Sequence, residues 1–196
     1  ILWKETVPDP RWGYRSYSDL KLYNIKSGST TDLTDEGKYI ASALSPDGST
    51  AAGIEYTAGK GYSLNIFSTQ KAESVSRLDL NGMGHIFDPA IEGDRVALCS
   101  QDKEGNALIV LNTATGKKEK VIPPTHLENF RSPLFHGEYL FYVSDYTGID
   151  NIYALDLRTG KRFQVTSVMH GAYYPFVPHG TDRIIYNEYT LTGYKS

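Results

Sequence analysis

The stretch Ile152–Arg162 reads IYALDLRTGKR. A looser version, LKLYNIKSGST, occupies Leu20–Thr30, and another, LIVLNTATGKK, occupies Leu108–Lys118. The polar residue that closes each apolar phrase sets the spacing. With Ser68 standing in the fourth copy, these residues are Asn24, Ser68, Asn112 and Asp156, at steps of 44. Four places further on come Gly28, Ala72, Gly116 and Gly160. A fixed period of this length is the mark of a repeat architecture and has to be read before any single segment.

Each copy carries the same grammar. An apolar or alternating run ends in Asn, Asp or Ser, and a tight turn follows in which Gly supplies a positive φ. A more polar run such as KRFQVTS comes next. Upstream lies a second pair of runs. The first of these is YIASALS, HIFDPAI, NFRSPLF or AYYPFVP, and the turn after it holds Gly48, Gly93, Gly137 or Gly180. The run beyond that turn is TAAGIEY, RVALCS, YLFYVS or RIIYNEY. Four short strands per copy, joined by hairpin turns and without helical periodicity, predict an all-β chain. Four-stranded units repeating at about 40–50 residues are β-propeller blades. One such sheet cannot bury both faces alone, so neighbouring sheets must cover one another around an axis. A sandwich would not keep a 44-residue metre, and helical repeats would need a 3.6-residue period.

Composition agrees. The 196 residues are 40% hydrophobic and 22% charged, ordinary for a globular chain. Aromatic residues make up 12%, with fifteen Tyr, which suits half-buried pleated surfaces. A net charge of −3 offers no electrostatic attraction for nucleic acid or anionic lipid. Cys99 is the single cysteine, so an intrachain disulfide is excluded, and its place in RVALCS predicts a small buried core residue. Apolar runs such as ALIVL and YLFYV are too short to cross a bilayer. No signal peptide is evident, and the opening on Ile1 suggests a processed or excised chain.

At LSPDGST (Leu44–Thr50), followed by YSLNIFST, the chain resembles the TolB-like, WD-repeat-like propeller family. SDYTGIDNIYALDLRTGKRFQVT (Ser144–Thr166) is similar to that family's phrase running from the second strand through the fourth. The resemblance covers essentially the whole chain. The SPDG phrase is intact only once, the other copies reading AIEG, LFHG and VPHG. The expected blades are residues 37–80, 81–124 and 125–168, with partial blades at 1–36 and 169–196. The first partial copy opens on a second strand, ILWKETV, and the last supplies a first and second strand before TLTGYKS. Both ends thus offer a second strand, which predicts part of a larger ring, or a ring with a strand to spare. The resemblance extends to the propellers of prolyl-oligopeptidase-type and dipeptidyl-peptidase-type enzymes and of oligogalacturonate lyases. It also extends to large bacterial envelope proteins, which PDPRWGYRSYSDLKLYN near the start most resembles.

In a propeller the first strand of each blade lines the axis. Lys38, Tyr39, His85, Asn129 and His170 start those strands, with Asp88 and Arg131 slightly further in. They are the candidate ligand-binding residues of a tunnel mouth. Two His and an Asp near one axis suit a metal or an anion. The lyase resemblance implies several axial His, and this chain offers at most two. The plainer expectation is polar residues lining a wet tunnel, with no metal and no cofactor. SDYTGIDN places Asp145 and Asp150 around a Gly but lacks calcium-loop spacing, so a surface turn is expected. RWGYRSY gathers Arg11, Trp12, Tyr14, Arg15 and Tyr17 in an inserted loop, residue types that dominate interaction surfaces. His126, His136 and His179 adjoin turns or Pro-rich linkers and receive no role.

There is no G-x-S-x-G elbow, no H-E-x-x-H and no Gly-rich loop opening a helix. The sequence therefore predicts a non-catalytic scaffold for a protein, peptide or glycan, without nucleic acid or membrane insertion. The resemblance implies an extracytoplasmic setting within a larger envelope protein, where further blades or domains would be partners. Two alternatives stand beside it: a propeller that gates a serine peptidase domain lying elsewhere, and a lyase-like propeller with an axial metal.

Overall fold

The computed structural model describes residues 1–178 and 180–196. Every regular element among them is a β-strand, and the strands form five antiparallel sheets. The first sheet holds β1 (Leu2–Pro8), β2 (Ser16–Asn24) and β3 (Ser29–Asp32). The second holds β4 (Tyr39–Leu44), β5 (Thr50–Thr57), β6 (Gly61–Ser68) and β7 (Glu73–Asp79). The third holds β8 (His85–Glu92), β9 (Arg95–Asp102), β10 (Gly105–Asn112) and β11 (Lys118–Thr125). The fourth holds β12 (Phe130–His136), β13 (Tyr139–Ser144), β14 (Asn151–Asp156) and β15 (Arg162–Gln164). The fifth holds β16 (Ala172–Phe176), β17 (Ile185–Thr190) and β18 (Gly193–Lys195). Sequential strands are neighbours throughout, so each sheet is a meander and the five together are propeller blades.

The repeated phrase is explained at the turn between the third and fourth strands. Asn24 Oδ1 accepts the backbone N–H groups of Lys26 and Ser27, and Asn112 Oδ1 accepts that of Thr115. Asp156 Oδ1 accepts those of Arg158 and Thr159. In each case the Gly four residues on donates its N–H to the Asx carbonyl, over 2.8–2.9 Å. An Asx side chain that satisfies the turn's donors, followed by a left-handed residue, stops one strand and aims the next. Gly28, Gly116 and Gly160 sit at φ 70, and Ala72 is forced to φ 53 at the matching place. A left-handed alanine is strained by its Cβ. Ala72→Gly is therefore expected to stabilise the fold by about 0.5–1 kcal/mol, net of the extra unfolded-state entropy of glycine. The urea midpoint measures it, and an unchanged or lower midpoint would refute the strain.

The core lies between the blades. Leu20 and Leu33 of the first blade pack with Tyr39, Ala51 and Phe67 of the second. Ile54 and Leu64 of the second meet Ile86, Leu98 and Ile109 of the third. Cys99 and Leu108 of the third meet Phe130, Leu140 and Tyr142 of the fourth. Val143 and Ile152 of the fourth meet Ala172 of the fifth. Strand β9 shows how a period of two serves both neighbours. Val96 and Leu98 face the second blade while Ala97 and Cys99 face the fourth, all fully buried. Each interface is thus a thin two-sheet core, and contacts run from one blade to the next in chain order. Among the described residues, no contact of comparable extent joins the fifth blade to the first, so the arc is open.

Two features depart from the sequence expectation. The last copy has a third strand, β18, which a three-residue element cannot announce by alternation; Gly193 at φ 110 turns the chain back onto β17. The axial strands also carry bulges. Asp88, Ser132 and Tyr174 have φ of 46, 48 and 54, each immediately before a proline, and the register of β8, β12 and β16 shifts there. A bulge bends the strand and turns side chains near the axis.

Candidate functional site

The meander puts the starts of the axial strands and the loops between second and third strands on one face of the arc. The turns between first and second strands lie on the opposite face. The tunnel-mouth candidates and the inserted loop fall on the first of these.

Most of the mouth candidates are tied into the framework. The Asp88 carboxylate accepts the backbone N–H of Ser132 across the blade boundary at 3.0 Å. Arg131 Nη1 donates to Asp150 Oδ1 at 2.8 Å. Asn129 donates its backbone N–H and side-chain amide to the two Asp145 oxygens at 2.7 and 2.6 Å. Burial alone would raise the Asp145 carboxyl, but the Asn129 donors outweigh it and hold the group below the usual range. Asp145 and Asp150 thus brace their own blade. Tyr39 is buried between the first two blades, where Asn65 donates to its hydroxyl at 3.2 Å. Burial, with Glu55 nearby, pushes its phenol up. Lys38 is exposed, with Nζ donating to the Ser16 carbonyl at 3.4 Å. His170 is exposed in the linker before β16.

His85 is brought into a setting the sequence did not suggest. It stacks on Phe87 at 5.6 Å, and its Nδ1 lies 3.0 Å from the Tyr62 hydroxyl. Tyr62 in turn meets Tyr56 at 5.2 Å. Four rings from two blades therefore form a continuous row on the mouth face. Among the described residues, no group of three or more His, Cys, Asp or Glu is placed to hold a metal ion.

The inserted loop folds around Asp9, which the sequence reading passed over. Asp9 Oδ1 accepts the N–H groups of Arg11 and Trp12, Oδ2 accepts the Tyr17 hydroxyl, and Arg15 lies 3.6 Å away. The Arg11 N–H is the main cause holding this carboxyl below its ordinary range. Arg15 also covers the Tyr17 ring at 5.0 Å, while Trp12 and Tyr14 are left exposed.

A wider cavity is on the opposite face. About 540 Å³ is enclosed between the turns of the second to fifth blades. Leu44, Leu134, Phe135 and Phe176 give it apolar walls, and Asp47, Glu92 and His136 stand around them. Glu92 pairs with Arg95, and His136 Nε2 approaches Asp182 at 3.7 Å. His136, given no role by sequence, belongs here; His179 lies outside the described residues. His126 is exposed in the linker before β12. The signal for this cavity was the SPDG phrase itself, since that turn and its counterparts in the third to fifth blades line it.

Asp47 organises that turn. Its carboxylate accepts the hydroxyls of Ser45 and Ser49 at 2.6 and 2.7 Å and the Ser49 N–H at 3.1 Å, which lowers its pKa to about 2. A depressed carboxyl contributes stability above its unfolded pKa, and that contribution is lost as pH falls through the folded value. Between about pH 4 and pH 2, Asp47 should account for about 1 kcal/mol of lost stability, after discounting its exposed position for solvent screening. Acid titration of Asp47→Asn against the parent chain measures this, and parallel curves would refute it.

No protein-family model and no curated protein sequence matches the chain. Solved structures do. TolB from Acinetobacter baumannii superposes at TM-score 0.63 and 12% identity, over 95% of this chain and 49% of that one. A putative TolB from Agrobacterium tumefaciens gives 0.68 and 12%, over 95% and 69%. The β-propeller domain of the Trilobed protease from Pyrococcus furiosus, described as having an open velcro topology, gives 0.62 and 11%, over 85% and 51%. The chain spans about half the length of the first and third of these. At such identities the likeness is one of fold: five blades arranged as in TolB and in a peptidase propeller.

Proposed function

We propose that this chain is a non-catalytic scaffold that holds an extended protein or peptide segment in the axial cavity on the SPDG face. The observation that carries the reading is the cavity between four blades, with apolar walls and the Asp47 and Glu92 carboxylates beside them. Apolar walls with a few convergent polar groups are the usual make-up of a ligand site. The low pKa of Asp47 keeps it charged at neutral pH, which favours apolar segments carrying Lys or Arg over acidic ones. The likeness to TolB supports an extracytoplasmic setting, and the open arc supports further blades or domains as neighbours. Fluorescence anisotropy with labelled decapeptides, apolar–basic and apolar–acidic, tests the reading. The basic set should bind at micromolar to millimolar levels and lose at least tenfold with Phe176→Asp, an exposed wall residue. Absence of binding, or equal binding by the variant, would sink it.

The likeness to the Trilobed protease propeller supports a second reading, a gate that admits peptides to a peptidase domain. An α/β-hydrolase segment encoded in the same gene would favour the gate. A chain without one would favour the scaffold.

A further inference from the structure

Strand β1 leaves one edge of the first blade bare. Its pairing with β2 runs unbroken from Leu2 to Pro8. Ile1 and Tyr23 exchange both main-chain bonds at 2.8 Å, and the Asp9 N–H donates to the Arg15 carbonyl at 2.9 Å. Antiparallel pairs alternate between bonded and unbonded, so Trp3, Glu5 and Val7 turn their main-chain groups to β2. Those of Leu2, Lys4 and Thr6 point the other way, and no strand among the described residues pairs with them. Lys4 and Thr6 are exposed. Proteins normally cover, bulge or shorten such an edge, because unpaired N–H and C=O groups template a further strand.

The other blades define what belongs beside that edge. In the second to fifth blades an inner strand lies there, namely β4, β8, β12 and β16, each antiparallel to the strand that follows it. At the later junctions inner strand touches inner strand, and the second strand of one blade touches the inner strand of the next. At the first junction only β1 and β2 reach β4. Ile40, Ser42 and Leu44 of β4 remain half-buried, whereas Ile86 and Ile91 of β8 and Phe130 of β12 are buried. Every inner strand already pairs within its own blade, so none of them can fill the empty place.

We infer that the bare edge of β1 takes an extended segment of another polypeptide as the innermost strand of the first blade. In strand addition the main chain supplies affinity and the side-chain pattern supplies selectivity. The chain's own inner strands give that pattern: Ile86-x-x-Pro89-Ala90, Phe130-x-x-Pro133-Leu134 and Ala172-x-x-Pro175-Phe176. In each, the residue before proline has φ of 46 to 54 and the register shifts, which bends the strand beside the axis. Proline suits that bulge, where no ladder donor is needed. A segment reading apolar-x-x-Pro-apolar therefore fits the place beside β4. Lys4 Nζ, which donates to the Ile40 carbonyl at 3.4 Å, is on an exposed and flexible side chain that can swing aside. The edge lies apart from the cavity on the SPDG face, which no residue of β1 lines.

The test is a heteronuclear NMR titration of the 196-residue chain with the end-blocked peptide HIFDPAIE, the sequence of residues 85–92. It should saturate with a Kd on the order of 0.1–1 mM. The amides of Leu2, Lys4 and Thr6 should shift most and gain protection from hydrogen exchange. A peptide of the same composition with its proline moved to the first position should bind at least about fivefold more weakly, having lost the bulge. Lys4→Pro and Thr6→Pro should each weaken binding at least about tenfold, because each removes an edge N–H and sets a ring against the incoming strand. Both should leave Tm within about 3 °C of the parent, since neither N–H serves the pairing with β2. Phe176→Asp, a change to the axial cavity, should bind the peptide like the parent. No saturation up to about 5 mM, shifts centred on Leu134 and Phe135 of the axial cavity, equal binding by the rearranged peptide, or undiminished binding in both proline variants would overturn the assignment. So would a peptide-free dimer that Lys4→Pro disperses, because the edge would then belong to a second copy of this chain.

Discussion

Glu128→Ala is expected to destabilise the protein by about 1–3 kcal/mol, the cost of taking their acceptor from the buried Ser144 hydroxyl and from a partly exposed guanidinium. Glu128 is 5% exposed and receives both Arg162 Nη atoms and the Ser144 hydroxyl. Its carbonyl accepts from Asn106 of the third blade, so it also ties the linker to its neighbour. Burial lowers the Arg162 pKa, but the hydrogen bonds and charge of Glu128 outweigh this and raise it overall. Removing the carboxylate reverses that balance and strands a guanidinium between Tyr142 and Tyr146. Urea unfolding of Glu128→Ala, Arg162→Met and the double variant forms a cycle. The double variant should recover part of the loss, since an apolar replacement of both partners is far less costly than breaking the pair. A single-variant loss below about 1 kcal/mol would place the pair among weak surface contacts.

Phe130→Ala is expected to cost about 3–5 kcal/mol through lost burial and the cavity left behind. Phe130 is 1% exposed and meets the Tyr142 ring edge-on at 5.7 Å. It packs with Cys99 and Leu108 of the preceding blade. Stability in such an array is nearly a sum of units and nearest-neighbour interfaces. The loss should therefore concentrate at the junction of the third and fourth blades. Hydrogen exchange should report increased opening of β8–β10 and β12–β14, with β1–β3 little changed. Uniform loss of protection across all five sheets would contradict a nearest-neighbour architecture.

Much of the framework was legible in the residues. Asn24, Asn112 and Asp156, with the glycines four places on, are local devices whose hydrogen bonds close within five residues. Cys99 likewise sits in the core that RVALCS implied. The site was harder to read. Placing Lys38, His85, Asn129 and His170 at one mouth used only strand direction. Whether a side chain is available there depends on partners far away in sequence, such as Asp145 for Asn129 and Tyr62 for His85. Asp88, Ser132 and Tyr174 each precede proline at matching places, so the bulges left a trace that alternation alone does not reveal.

The order of strands, the turn chemistry and the blade period were determined by the sequence alone, because each rests on contacts between residues close along the chain. Only the tertiary structure decided what the blades leave between them: the axial cavity and the aromatic row beside His85. Those arise from the angle at which blades meet and from which polar groups pair across blades. A 44-residue metre makes such meetings necessary, but it does not specify what they leave open.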